Sequence, residues 1–153
     1  EQGGVSTVCR LMGPDDVDTI ACADATAVGS DAYALPEGEE FHGHPRNWGA
    51  FPHFYNVYVK QKGLLKPEQA VYKMSGMAAE FLGVPGRGFV KEGYKADLVL
   101  CDPERLEGRA DYETPDVSAG GIDLVIINGQ VQFEAGTLQR KTAGKVIIKN
   151  RGK

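Results

Sequence analysis

The sequence predicts an α/β chain whose character changes once, near Pro85. Three observations carry this. A strand, a helix and a second strand follow one another with short connections over residues 5–30, the signature of a parallel βαβ unit. Residues 53–82 then place apolar side chains at helical spacing. From Pro85 onward the chain is β-branched, Gly-rich and broken by turns, with Asn128-Gly129 as a hairpin signal between two apolar runs.

Taken in order, residues 5–12 (Val5, Val8, Cys9, Leu11 among them) read as a strand, and Gly13-Pro14 punctuates it. Pro14 suits the first turn of a helix running to about residue 23, with Asp15 and Asp16 facing the positive end of its dipole; the two acids are helix starters. Residues 26–30 form the second strand. Its small residues, Gly29 and Ser30, deliver one carboxylate, Asp31, at the C-terminal end, which is where α/β barrels keep their chemistry. An acid there can also simply cap the following turn. The pattern alone leaves both readings open.

Residues 32–51 are long for a loop, and Tyr33, Phe41, Trp48 and Phe51 argue against disorder, so an ordered lid or pocket wall is expected. A helix over 53–62 carries Phe54, Val57, Tyr58 and Gln61 at helical spacing and stops at Gly63. Pro67 opens another, whose Ala70, Val71 and Met74 form one face. Ser75 is placed as N-cap of a short helix bearing Met77, Ala78, Phe81 and Leu82, closed by Gly83. The methionines read as core filler. Beyond Pro85, Asp97 and Asp102 are structural turn acids, residues 122–127 and 130–133 flank the hairpin turn, and 145–149 supplies one more short strand.

The 153 residues and 42% hydrophobic content suffice for one ordinary domain, but a full eight-stranded α/β barrel needs about 250 residues. Seventeen basic against twenty-one acidic residues give a net charge of -4, and the cations are scattered, which excludes a nucleic-acid surface. The basic end, Lys145 to Lys153, reads as a solvated edge. No apolar stretch approaches the roughly 20 residues that cross a bilayer, and no charged start followed by an apolar run marks a signal peptide. Cys9, Cys22 and Cys101 share no metal-ligand spacing and are expected as reduced thiols of a soluble, cytoplasmic protein.

Four stretches point further: Gly29-Ser30-Asp31; His44-Pro45-Arg46-Asn47-Trp48-Gly49-Ala50-Phe51-Pro52; Lys73-Met74-Ser75-Gly76-Met77-Ala78-Ala79; and Arg87-Gly88. Together they closely resemble the N-acyl-D-amino-acid deacylases of the metal-dependent amidohydrolase superfamily, over roughly the C-terminal third of such an enzyme. Residues 88–103 likewise look like the strand pair that follows the barrel in many amidohydrolases. The resemblance implies that residues 1–84 are the last strands and helices of a TIM-like (β/α)8 barrel with its active-site loop. Residues 85–153 would be the C-terminal strands of a small β-sandwich beside it.

For function, the resemblance implies zinc-dependent hydrolysis of the amide bond of a small-molecule N-acyl-D-amino acid. Asp31 matches the acid that shuttles a proton from water to the leaving nitrogen. Arg46 matches the arginine that holds the substrate's α-carboxylate, a task suited to a planar two-pronged donor. Ser30 and His44 are placed with Arg46 at the substrate pocket. His42 and His44 share the spacing of a first metal-binding pair, yet follow the last barrel strand, not the first. They are not read as the zinc site. The zinc ligands are expected in earlier strands outside this sequence, which leaves this chain alone catalytically silent.

Two alternatives stand beside this reading. A cyclic-amide hydrolase or deaminase of the same superfamily would not need the Arg46 clamp in that position. A non-catalytic assembly module could be built from the β-rich part. Exposed strand edges and an unfinished barrel predict self-association.

Overall fold

The computed structural model of the chain describes residues 11–33, 44–139 and 142–148. Four α-helices precede a four-stranded antiparallel sheet in the order β1-β2-β3-β4. The α/β class holds. Among the described residues no helix is long and apolar enough to cross a membrane.

Helix α1 spans Pro14–Cys22, as the proline at its first turn predicts. Asp16 Oδ2 accepts the Gly13 amide at 3.3 Å, satisfying one of the free donors at this end. The strand expected before it falls mostly outside the described residues, and Leu11 and Met12 are exposed without strand pairing.

The second expected strand, over 26–30, is not formed. A parallel strand exists by virtue of a neighbour, and the described residues offer none. The ladder role falls to the end of a helix instead: the Val28 amide donates to the carbonyl of Lys73 at 3.0 Å.

Helix α2 spans Arg46–Tyr55 and runs on into a π-helical segment, Asn56–Gln61. The end of the expected loop and the expected helix are therefore one element beginning at Arg46. Gly49 and Pro52 are residue types that ordinarily interrupt a helix. Gly49 is there for packing, since a Cβ on it would lie 3.3 Å from the Gly108 Cα. Pro52 withdraws the amide that the Trp48 carbonyl would otherwise receive. The π turn closes with the Lys62 amide on Val57 O at 2.9 Å, and Gly63 ends it at φ +61. An ion pair of 2.6 Å between Lys62 and Asp18 ties this end to α1.

Helix α3, Pro67–Met74, starts where Pro67 predicts, with Gln69 Oε1 accepting the Lys66 amide at 2.9 Å. The expected face of Ala70, Val71 and Met74 is only partly the buried one. Ala70 and Lys73 are buried, whereas Val71 is half exposed. Helix α4, Gly76–Leu82, ends at the left-handed Gly83 as expected. Ser75 sits at its N-cap position, but its hydroxyl donates outward to Gly88 O at 3.2 Å.

The sheet comprises β1 (Leu98–Cys101), β2 (Ile122–Ile127), β3 (Gln130–Glu134) and β4 (Thr137–Leu138). Asn128 and Gly129 take φ of 50° and 77°, the left-handed pair that a tight hairpin demands. Two expected strands are absent. Residues 88–90 are irregular because Gly88 lies at φ +83 and Phe89 turns back onto the ring of Tyr72, centroids 6.2 Å apart. Residues 142–148 form no strand, and position 149 lies outside the described residues.

One core joins helices to sheet. Tyr55, Tyr58, Leu65, Ala70 and Leu106 are buried, with Phe54, Met74, Cys101 and Ile122 packed against them. Burial raises the hydroxyl pKa of both tyrosines.

Candidate active site

Asp31 occupies a left-handed backbone conformation, φ +51, which aspartate tolerates better than most residues. The Ser30 hydroxyl accepts the Ala32 amide at 3.2 Å, bracing the same turn. Asp31 thus leaves the chain sideways, its carboxylate largely in solvent.

Arg46, the first residue of α2, meets that carboxylate with Nη1 2.9 Å from Oδ2. Its backbone amide, unsatisfied within the helix, donates to His44 Nδ1 at 3.2 Å. With Nδ1 accepting, a neutral imidazole carries its proton on Nε2, and that nitrogen lies 3.3 Å from the Tyr112 hydroxyl. The two rings meet edge to face at 5.2 Å. Next along the helix, Asn47 Oδ1 accepts the Tyr33 amide at 3.4 Å. Among the described residues, neither Arg46 Nε nor Asn47 Nδ2, both buried donors, finds an acceptor.

Tyr112 arrives from the loop between β1 and β2, which lies along α2. A Cβ on Gly108 would stand 2.7 Å from Gly49 O and 2.8 Å from the His53 Cβ, so the two backbones pass as closely as glycine permits. Beyond it, Asp111 collects the Thr114 amide at 2.6 Å, the Thr114 hydroxyl and the Glu113 amide. These bonds, led by the Thr114 amide, hold its carboxyl below the usual range.

The structure therefore brings Ser30, Asp31, His44 and Arg46 into one cluster. His42 lies outside the described residues. Sequence reasoning missed Tyr112, whose distance of 68 residues from His44 leaves no local signal. It also missed Lys73, which is buried and bonded to Ala23, Thr26 and Val28 in the segment leading to Asp31. Among the described residues no group of three His, Cys, Asp or Glu side chains could hold a metal ion. Asp31 is a single exposed carboxylate already facing a guanidinium, so these residues do not fit a metal site.

Set beside known proteins, residues 15–133 match the model of the amidohydrolase family. The chain is 37% identical over 139 residues to a D-aminoacylase of Alcaligenes xylosoxydans xylosoxydans, covering 91% of this chain and 28% of that relative. A D-aminoacylase crystal structure described as defining a novel subset of amidohydrolases superposes with a TM-score of 0.77 at 38% identity, over 85% of this chain and 27% of that one. An N-acyl-D-glutamate deacylase from Bordetella bronchiseptica, solved with zinc and a phosphonate mimic of the tetrahedral intermediate, gives 0.74 at 34% identity, over 82% and 26%. The chain thus spans little more than a quarter of the length of these relatives.

Proposed function

Since the chain belongs to the amidohydrolase family, we propose that it carries the substrate-orienting and proton-transferring part of an N-acyl-D-amino-acid deacylase. The observation that carries this is the 2.9 Å pairing of Arg46 with Asp31. It sets a guanidinium suited to binding a carboxylate directly against an exposed acid.

On this reading Arg46 binds the substrate's α-carboxylate through a two-pronged, charge-assisted contact. Asp31 stands in for that carboxylate while the site is empty. An incoming carboxylate also supplies an acceptor for the Nε–H, which finds none among the described residues. His44 accepts the Arg46 amide and so fixes where the side chain starts. Ser30 shapes the turn that presents the acid.

Asp31, released by the substrate, takes a proton from the attacking water as its oxygen bonds to the acyl carbon. It passes that proton to the amide nitrogen as the C–N bond breaks. The products are a carboxylate and a free D-amino acid. Proton transfer of this kind contributes about 10²- to 10⁴-fold. Zinc belongs to the reading for the whole enzyme, by analogy with the zinc-containing deacylase structure. The described residues offer it no ligand cluster, and the steps assigned to this chain do not run through it.

In the whole protein, residues 1–84 would complete a (β/α)8 barrel and 85–153 would contribute strands to a small β-sandwich. The missing ladder at 26–30 and the exposed edge strand β1, with Val99 and Leu100 in solvent, support both assignments. The same bare edge favours self-association of this chain by itself, which light scattering would detect. Free Cys22 and Cys101 are consistent with a cytoplasmic enzyme.

The test is turnover by the full-length protein on paired N-acetyl-D- and L-amino acids. Hydrolysis confined to the D series supports the proposal. Activity on cyclic amides or aminated nucleosides instead, with none on N-acyl amino acids, would replace it with the second amidohydrolase reading.

A further inference from the structure

Lys73 is 4% exposed, on the inner face of α3, and no carboxylate pairs with it among the described residues. Its ammonium donates instead to three oxygens of one short stretch: the carbonyl of Ala23, the carbonyl of Thr26 at 3.0 Å and the Thr26 hydroxyl at 3.3 Å. Ala23 is the C-cap of α1, where unsatisfied carbonyls and the negative end of the helix dipole favour a cation. The Thr26 hydroxyl in turn donates to Ile20 O at 2.6 Å, closing the network back into α1.

The same residue grips the chain a second time. Its own carbonyl receives the Val28 amide at 3.0 Å. From Val28 the chain runs through Gly29 and Ser30 to Asp31 without strand pairing. The last fixed points before the candidate acid are thus both supplied by Lys73.

We propose that Lys73 is a positioning residue for Asp31: it sets the path of residues 23–28 from below and so fixes where the acid's carboxylate stands relative to Arg46. This rests on the reading of Asp31 as the proton shuttle. Lys73 touches neither substrate nor reacting atoms. A misplacement of about 1 Å at a reacting group can cost on the order of 100-fold in rate, so the effect belongs in kcat, with KM, set by Arg46, little changed.

The experiment is a double-mutant cycle in the full-length protein, combining Lys73→Met with Asp31→Asn, with rates corrected for the folded fraction and hydrogen exchange followed on the peptide covering 27–31. If Lys73 acts through Asp31, Lys73→Met lowers kcat about 100-fold in the wild-type background and hardly further once Asp31 is Asn. Exchange at 27–31 quickens while α3 stays protected. An equal loss in both backgrounds, or a KM rise without a kcat fall, overturns the proposal. If Lys73→Met yields too little folded protein, Thr26→Val removes one acceptor at similar volume and carries the same cycle with a smaller effect. Should the wild-type enzyme turn over no N-acyl-D-amino acid, the deacylase reading fails by itself. The exchange arm then still decides on positioning, because unchanged exchange at 27–31 in Lys73→Met refutes it.

Discussion

Asp97 receives the backbone amide of Asn128 on one carboxylate oxygen, at 2.7 Å, and the guanidinium of Arg87 on the other. Arg87 also donates to Asn128 Oδ1 at 2.8 Å, and Asn128 Nδ2 to Ala143 O at 2.7 Å. One acid thus ties the hairpin tip to the segment ahead of β1. Asp97→Ala should lower stability by about 2 kcal/mol, the cost of stranding partly buried charged and backbone donors, with catalytic constants of the folded enzyme intact. Denaturant unfolding followed by activity would show it; an unchanged midpoint would mean that the latch adds nothing.

Arg46→Lys keeps the charge and discards the fork. Losing one charge-assisted hydrogen bond to the substrate carboxylate costs about 2 kcal/mol, or roughly 30-fold in KM. A substrate amidated at its α-carboxylate should bind wild type and variant alike. Equal sensitivity to that amidation in both proteins would remove Arg46 from the clamp.

Asp31→Asn is the substitution the backbone accepts most readily, because asparagine also tolerates the left-handed conformation. The fold and melting temperature should stay put while kcat falls at least about 100-fold. Near-normal turnover would move the proton shuttle elsewhere.

Gly108→Ala tests how the distant loop reaches the site. A methyl there would press on the Gly49 carbonyl and on His53, lifting the loop and taking Tyr112 off His44. KM should rise together with some loss of stability, whereas Tyr112→Phe, which deletes only the hydroxyl, should raise KM at nearly unchanged stability. Identical kinetics in Tyr112→Phe and wild type would show that His44 needs no support from that side.

Asp102 and Asp111 both titrate below the usual carboxylate range, Asp102 chiefly through the side-chain hydrogen bond from Arg105 and Asp111 through the Thr114 amide. A folded value below the unfolded one stabilises fully above the unfolded pKa, about 3.9, and the gain is lost as pH falls through the folded values. Thermal stability should therefore slip below about pH 4. Asp111→Asn should be less stable than wild type at neutral pH and show a shallower acid decline. A decline as steep as wild type's would assign it to other groups.

What the sequence disclosed follows the range of the forces involved. The Asn128-Gly129 turn and the helix starts at Pro14 and Pro67 depend on φ preferences of one or two residues, and all three are where expected. The start of α2 fell inside the expected loop: Gly49 and Pro52 are poor helix formers, and only the approach of the Gly108 backbone explains the first. The strand at 26–30 needs neighbours that its own residues cannot supply. Asp31 and Arg46 were identified through family resemblance, but their contact depends on a chain path that no local pattern encodes. Lys73 stood inside a noted motif and went unread, since a helical lysine is ordinarily solvent-facing.

The left-handed turn at Asp31 also constrains how the gene can change. Every single-base change in an aspartate codon leads to Asn, His, Tyr, Val, Ala, Gly or Glu, or is silent. Asn and Gly suit the backbone but give up the acid; Glu keeps the acid on a longer arm in a conformation it disfavours. No one-step replacement preserves both, so drift at this codon is confined to the single silent third-base exchange as long as the acid is in use.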